Sequence, residues 1–261
     1  MDLFAGTAAA YRRYRSGVPD EVAELLARAA PRRFPRRLLD LGTGTGFVVR
    51  AMLPHVDEVL AVDVDADLLA VAEEDLRPLA GTTPLTFLLG RAEEVRPPAG
   101  WQASLVTICR TFHWLDRPAV LRHLEDLVVD DGVVAVFGDR SAWTSDNPWA
   151  QEAKQVVTEF LGPDRRAGSG TYQRPARGYL DDLADSAFSA VERVEVPVRR
   201  ERDLDGVVGY LHSTSFAAAH LFGDRLAAFD DEVRRRLAPL AVDGRFVDDN
   251  AFDVLLARRP G

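Results

Sequence analysis

The stretch Leu38-Leu39-Asp40-Leu41-Gly42-Thr43-Gly44-Thr45-Gly46-Phe47 constrains the fold more than any other part of the chain. Two leucines lead into an acidic residue, glycines follow at every second position, and an apolar run resumes in Phe47-Val48-Val49. This reads as a buried strand turning sharply into a helix. Glycines in such a turn permit positive φ and let a ligand touch the main chain, while the first amides of the next helix are unpaired donors. A pyrophosphate-binding turn would space its glycines G-x-G-x-x-G. Here the third glycine comes one residue early and Phe47 holds its place. Asp40 would repel a pyrophosphate and attract an ammonium group, so a cationic, amino-acid-like ligand fits better.

A second acid strengthens the pattern. Glu58-Val59-Leu60-Ala61-Val62-Asp63 reads as a strand ending in a carboxylate, about 20 residues beyond the glycines, where nucleotide-binding folds place a ribose-hydroxyl acceptor. Asp65 and Asp67 beside it suit helix caps. Further alternation follows: helices over Phe47 to Leu53 and Ala66 to Leu79, a strand over Leu85 to Leu89, a strand over Trp101 to Cys109 and a helix over Arg117 to Leu127. The turn Asp130-Asp131-Gly132 and the strand Val133 to Phe137 close the series. Strands alternating with helices in this way predict a parallel sheet covered on both faces. Upstream, Phe4, Tyr11 and Tyr14 share a helical face, and Pro19-Asp20 starts a helix with Val22, Leu25, Leu26 and Ala29 on its apolar side. Downstream, Val194-x-Val196-x-Val198 and Phe252 to Ala257 read as strands. The roughly fifty residues between them are too many for a plain connection.

The motif Asp40-x-Gly42-x-Gly44-x-Gly46 resembles the first motif of class I S-adenosylmethionine-dependent methyltransferases. The resemblance implies an α/β, Rossmann-like, seven-stranded mostly parallel sheet with helices on both faces, a C-terminal antiparallel hairpin and lid insertions. It implies S-adenosyl-L-methionine as cofactor and S-adenosyl-L-homocysteine as product. The expected cofactor contacts are Tyr14, Asp40, Gly42, Gly44, Gly46, Asp63 with Val64, Ala92, Glu93 and Arg110. In the resembled family the acid at the place of Asp63 holds both ribose hydroxyls. Gly90-Arg91-Ala92-Glu93-Glu94 resembles the segment beside the adenine, although Glu93 is equally placed as a first-turn helix acid. An N-terminal tyrosine often covers the cofactor in similar enzymes, although Tyr11 and Tyr14 could merely anchor their segment.

Arg110-Thr111-Phe112-His113-Trp114 leaves the carboxyl end of the fourth strand, where open α/β sheets bind ligands. It is similar to the His-Trp pair of trans-aconitate methyltransferase-like proteins, although Gln102-Ala103 departs from their usual Phe-Asp. His113 is therefore the best candidate for a general base, if one is used, the alternative being a structural or substrate-orienting histidine, with His212 a weaker second. Phe112, Trp114, Tyr11, Trp143 and Tyr210 are the expected substrate contacts. A single domain over 1–261 is expected, with a helical cap over 1–30 and substrate-lid insertions over 139–190 and 199–247. These insertions are aromatic and suit a small acceptor, or else an accessory packing layer.

Composition bounds the function. A net charge of -9 and a pI of about 5.1 argue against a broad nucleic-acid footprint. The arginine groups Arg32-Arg33, Arg36-Arg37, Arg165-Arg166 and Arg234 to Arg236 read as solvated faces. Cys109 alone excludes an intrachain disulfide and lies in an apolar run, which predicts a buried, inert thiol. No apolar stretch is long enough to span a bilayer, and no metal-ligand spacing is evident. Lys154 is the only lysine, which suits a GC-rich bacterial genome. The expectation is a cytoplasmic enzyme methylating an oxygen, nitrogen or carboxylate of a small molecule. The alternatives are a protein of the same fold that keeps the cofactor without methylating, or an RNA or protein methyltransferase. The oligomeric state stays open.

Overall fold

The computed structural model describes residues 7–32, 35–167, 170–172 and 175–261; Phe4, expected on the first helix, and Arg33 lie outside them. In chain order the elements are α1 (Ala8–Tyr14), α2 (Asp20–Ala29), β1 (Arg37–Leu41), α3 (Phe47–Met52), β2 (Glu58–Asp63) and α4 (Ala66–Leu76). Next come β3 (Leu85–Leu89), β4 (Ala103–Cys109), α5 (Arg117–Leu127), β5 (Val128–Asp139) and α6 (Pro148–Leu161). The short pair β6 (Arg166–Ala167) and β7 (Gly170–Thr171) precedes α7 (Tyr179–Ala184), β8 (Ala190–Arg202), α8 (Leu204–His212), α9 (Leu226–Leu237) and β9 (Phe246–Arg258).

Seven strands form one sheet in the order β3-β2-β1-β4-β5-β9-β8. The pairs from β3 through β5 are parallel, and β9 runs antiparallel to β5 with Phe137 opposite Val254. Residues of β1, β2 and β4 are buried almost without interruption because helices cover both faces of a parallel sheet. The edge strand β3 is only half-buried.

One expected boundary is wrong. Asp130-Asp131-Gly132 is no separating turn but a bulge inside β5, which begins at Val128. Ala103 faces Val128 and Leu105 faces Val133, so Val129 to Gly132 stand opposite Ser104 alone. A Cβ at Gly132 would come within 2.5 Å of a Val128 methyl, so the bulge depends on glycine there. Trp101 precedes β4 rather than opening it; it is buried, with its indole N–H donating to Glu58 Oε1 at 2.9 Å. Cys109 is half-buried at the end of β4, not buried.

The expected single domain divides into two compact units. The larger comprises Gly17–Asp139, Pro175–Val196 and Phe252–Gly261. Its core joins Leu39, Leu41, Val106, Ile108, Val134 and Val136 of the sheet to Val120, Leu121 and Leu124 of α5. The smaller comprises Met1–Ser16, Arg140–Arg174 and Pro197–Ala251. There α6 packs on α9 and α1 on α8, around Trp149, Val156, Phe229 and Val233. Phe222 and Phe229 stack at 3.8 Å. Arg236, read as solvated, ties α9 to Glu152, Gln155 and Glu159 of α6.

These units do not coincide with the expected cap and insertions. Within the 1–30 segment, α2 belongs to the larger unit, where Val22, Ala23 and Leu26 are buried. Within 139–190, residues from Pro175 onward also belong there, because Leu183 and Phe188 enter its core.

Candidate functional site

The glycine turn of the larger unit is built by crowding on either side of an open centre. Gly42, Gly44 and Gly46 all have positive φ, at 72°, 54° and 82°. A Cβ at Gly42 would lie 2.4 Å from the Thr111 methyl, and one at Gly46 would lie 2.5 Å from a Leu76 methyl. At Gly44 a Cβ would meet nothing within 4 Å. The outer glycines therefore serve packing as well as backbone freedom, whereas Gly44 leaves its face of the main chain approachable.

Two carboxylates flank the turn. Asp40, 1 % exposed, accepts a hydrogen bond from Thr107 Oγ1 at 2.7 Å across the β1–β4 register. Its Oδ2 is buried without a partner, as are the hydroxyl oxygens of Thr43 and Thr45. Burial pushes the Asp40 carboxyl up to about 6; Thr43 and Thr107 work against the rise and the nearby charge of Asp63 adds to it. Asp63 accepts from the Gly44 amide at 2.7 Å and from the Asp65 amide at 2.9 Å. Burial again raises its carboxyl, and those amides oppose the rise. Asp65 is spent as the N-cap of α4, accepting from the Asp67 and Leu68 amides. Beside Asp63, Val64 is 64 % exposed.

Several expected residues carry other work. Ala92 is buried in the larger core. Glu93 Oε1 accepts the Asp116 amide at 2.9 Å and lies 3.5 Å from Arg91, so it steadies the start of α5. Arg110 sits at a φ of 57°, rare for a non-glycine residue. Its Nε donates to Asp139, and its guanidinium lies 5.2 Å from the centre of the Phe252 ring. Phe112, expected against the substrate, is 1 % exposed and meets Tyr179 edge-on at 5.1 Å, because the short helical turn Phe112–Trp114 directs it into the core. His113 and Trp114 are half-buried, with ring centres 4.4 Å apart. Thr111 Oγ1 donates to the Cys109 carbonyl at 3.0 Å and lies 3.4 Å from the Gly42 carbonyl, which brings this segment beside the glycine turn.

The remaining aromatic candidates lie in the smaller unit. The Tyr14 ring packs where a Cβ on Gly209 would lie within 2.4 Å of it. Tyr11 carries the Arg15 guanidinium 5.2 Å from its ring centre. Tyr210 is 8 % exposed and meets Trp149 edge-on. Trp143 lines a groove of about 530 Å³ with Lys154, whose ammonium lies 5.1 Å from the indole. His212 is no base candidate: Nδ1 contacts the Ala217 carbonyl, Nε2 contacts Asp230 at 2.8 Å, and Phe222 and Phe229 enclose the ring. Among the described residues no cluster of His, Cys, Asp and Glu is placed to hold a metal ion. Nor is any described helix long and apolar enough to cross a membrane.

Thr43, Thr45, Thr107 and Thr111 were missed from sequence. Thr107 had a signal, being the one polar residue in the apolar run Leu105 to Cys109. Thr43 and Thr45 lay inside the motif, but only the structure reveals their buried, unpartnered oxygens.

This strand order, with a glycine turn at the carboxyl end of a central strand and acids on two adjacent strands, defines a Rossmann-like fold. Residues 39–134 match the family model described as a methyltransferase domain. That match runs from β1 into β5 and covers over a third of the chain. An uncharacterized methyltransferase of Mycobacterium tuberculosis is 34 % identical over 170 residues, 63 % of each chain. The malonyl-[acyl-carrier protein] O-methyltransferase of Halalkalibacterium halodurans is 25 % identical over 167 residues, 60 % of each. The chain thus spans less than two thirds of the length of these curated relatives. Among solved structures, the YcgJ protein of Bacillus subtilis aligns with a TM-score of 0.56 at 17 % identity, over 93 % of this chain and all of the other, a likeness of fold.

Proposed function

We propose that the chain transfers the methyl group of S-adenosylmethionine to an oxygen, nitrogen or carboxylate of a small organic acceptor in the cytoplasm. One observation carries this reading: Asp40 Oδ2 and Thr45 Oγ1 are buried beside the approachable backbone of Gly44, Thr45 without a partner and Asp40 Oδ2 with only the Thr43 hydroxyl near enough to act on it. Buried polar atoms are rarely left so, and an ammonium donor would satisfy a carboxylate and hydroxyl oxygens together. Asp40 would take the amino group of the cofactor's methionine tail, the glycine turn its backbone, and Asp63 its ribose hydroxyls. Val64 and the chain at Ala92 would border the adenine. The bound cofactor would supply a sulfonium methyl carbon open to in-line displacement.

The protein's part is positioning and exclusion of water. An ionised carboxylate acceptor needs no base, whereas a hydroxyl or ammonium must lose a proton, and His113 is the group we assign to take it. Trp114 bears on the His113 ring and would orient it. The aromatic residues of 139–174 and 199–247 are proposed to select the acceptor. The name of the malonyl-[acyl-carrier protein] relative supports a carboxyl oxygen as one acceptor to try. The test is incubation of the full chain with S-adenosylmethionine and a panel of small acids, phenols and amines, following S-adenosylhomocysteine and methylated product by mass. Release of S-adenosylhomocysteine with a methylated acceptor supports the reading; cofactor binding without methylation of the panel or of a bacterial small-molecule extract overturns it.

A further inference from the structure

The smaller unit holds a second concentration of charge. Arg15 follows α1, Arg202 ends β8 and Arg165 precedes β6. Arg15 and Arg202 lie 5.0 and 4.6 Å from the centre of one ring, that of Tyr210. Arg165 lies 4.4 Å from the centre of Tyr172 and 5.5 Å from that of Phe216. Arg202 spends two donors, on the Tyr14 carbonyl at 3.2 Å and the Ser16 hydroxyl at 3.4 Å. The Nε atoms of Arg15, Arg165 and Arg202 are all buried without a hydrogen-bond partner.

Counter-charge is scarce. Among the described residues no carboxylate forms an ion pair with Arg15, Arg165 or Arg202. Asp248 acts on Arg202 from a distance and lies 3.9 Å from Arg200, itself a further cation beside Arg202. Burial is the main influence weakening the proton hold of Arg165 and Arg202, and the charge of Arg15 adds to it in both. All three side chains are half-buried with their Nε atoms buried; aromatic faces offset part of the cost of withdrawing guanidinium groups from water, but cations partly withdrawn from water without an acid remain costly. The arrangement is costly for the protein alone and becomes favourable when an anion completes it. This also corrects the reading of Arg165 as a solvated charge.

We infer that Arg15, Arg165 and Arg202 form a binding site for a small molecule bearing a carboxylate or phosphate group. The planar guanidinium fork matches both anions in a bidentate manner. A net charge of -9 disfavours nucleic acid or an acidic surface as the ligand. Resting on the methyltransferase reading only for its choice of small metabolites, the ligand class is organic acids and phosphate esters.

The experiment uses the full chain and four probes at constant ionic strength: inorganic phosphate, phenyl phosphate, citrate and, as the uncharged control, glycerol. Thermal melting and calorimetry are recorded for the wild type, Arg15→Gln, Arg165→Gln and Arg165→Lys, each also titrated with S-adenosylhomocysteine. At roughly a hundred times Kd, the anion that binds should raise Tm by about 5 °C. The glutamine variants should lose at least tenfold in anion affinity, Arg165→Lys less, with S-adenosylhomocysteine affinity unchanged. Ligand-free Arg165→Gln should melt no lower than the wild type, since it removes an uncompensated charge; a purely structural arginine would give lower melting. Binding of phenyl phosphate or citrate assigns an organic ligand, and binding of inorganic phosphate alone assigns a free-phosphate site. The inference is overturned if no anion shifts Tm, if variants and wild type respond alike, or if Arg165→Gln lowers ligand-free Tm. Loss of S-adenosylhomocysteine binding in the wild type would sink the methyltransferase reading instead.

Discussion

Replacing Asp40 with asparagine should strengthen the ligand-free protein while weakening its hold on the cofactor. The Asp40 carboxyl is fully buried and titrates at about 6 in the folded chain, against 3.8 for an ordinary aspartate. Below pH 3.8 both states are protonated and the residue costs nothing. Between the two values the unfolded chain ionises first, and stability falls until the folded carboxyl has also ionised. At ~1.4 kcal/mol per pH unit, the cost above pH 6 is about 3 kcal/mol. Asparagine never ionises, still accepts from Thr107 through Oδ1, and sets an N–H donor where Oδ2 now lacks a partner, within the reach of Thr43. The assay is urea unfolding of both proteins at pH 4 and pH 8 without ligand. The variant should gain about 2–3 kcal/mol on the wild type at pH 8 and little at pH 4. S-adenosylhomocysteine affinity at pH 8 should meanwhile fall by about 1.5–3 kcal/mol, roughly 10- to 150-fold, the range for a bond to a charged group. An equal stability difference at both pH values, or a less stable variant at pH 8, would refute the reasoning.

Three further outcomes are expected. Asp63→Ala should cost about 1–3 kcal/mol of cofactor binding by leaving hydroxyls unpaired, and unchanged calorimetric affinity would remove Asp63 from the site. Gly46→Ala should destabilise the protein by about 1–3 kcal/mol in denaturant unfolding, because its φ of 82° is strained for alanine and the new methyl would meet Leu76 at 2.5 Å. His113→Asn should lower kcat on a hydroxyl or amine acceptor by ~10²-fold or more and remove the acidic limb of its pH profile. On a carboxylate acceptor the same variant should leave kcat nearly unchanged.

The alternation of strand and helix was legible because β1 to β5 are mainly apolar runs separated by helix-patterned segments and turn residues. Strands β2 and β3 begin and end where the sequence places them. The Asp130–Gly132 bulge was not legible, since a turn and a bulge use the same residues and only the partner strand decides between them. Within the site, Asp40 and the glycines declared themselves by charge and backbone need. Thr107 depended on register, because it matters only as the cross-strand neighbour of Asp40. Phe112 misled because position after a strand says nothing about which way a side chain turns. The arginine cluster was least legible of all: its members stand at positions 15, 165 and 202, and only folding gathers them around α8 and its ring.

The most direct measurement is calorimetric titration of the purified full chain with S-adenosylhomocysteine at pH 8, with NADH titrated in parallel. One S-adenosylhomocysteine should bind per chain, more weakly in Asp40→Asn and in Asp63→Ala, and NADH should not compete. Absence of S-adenosylhomocysteine binding, or displacement of it by NADH, would contradict the assignment of the glycine turn to a sulfonium cofactor.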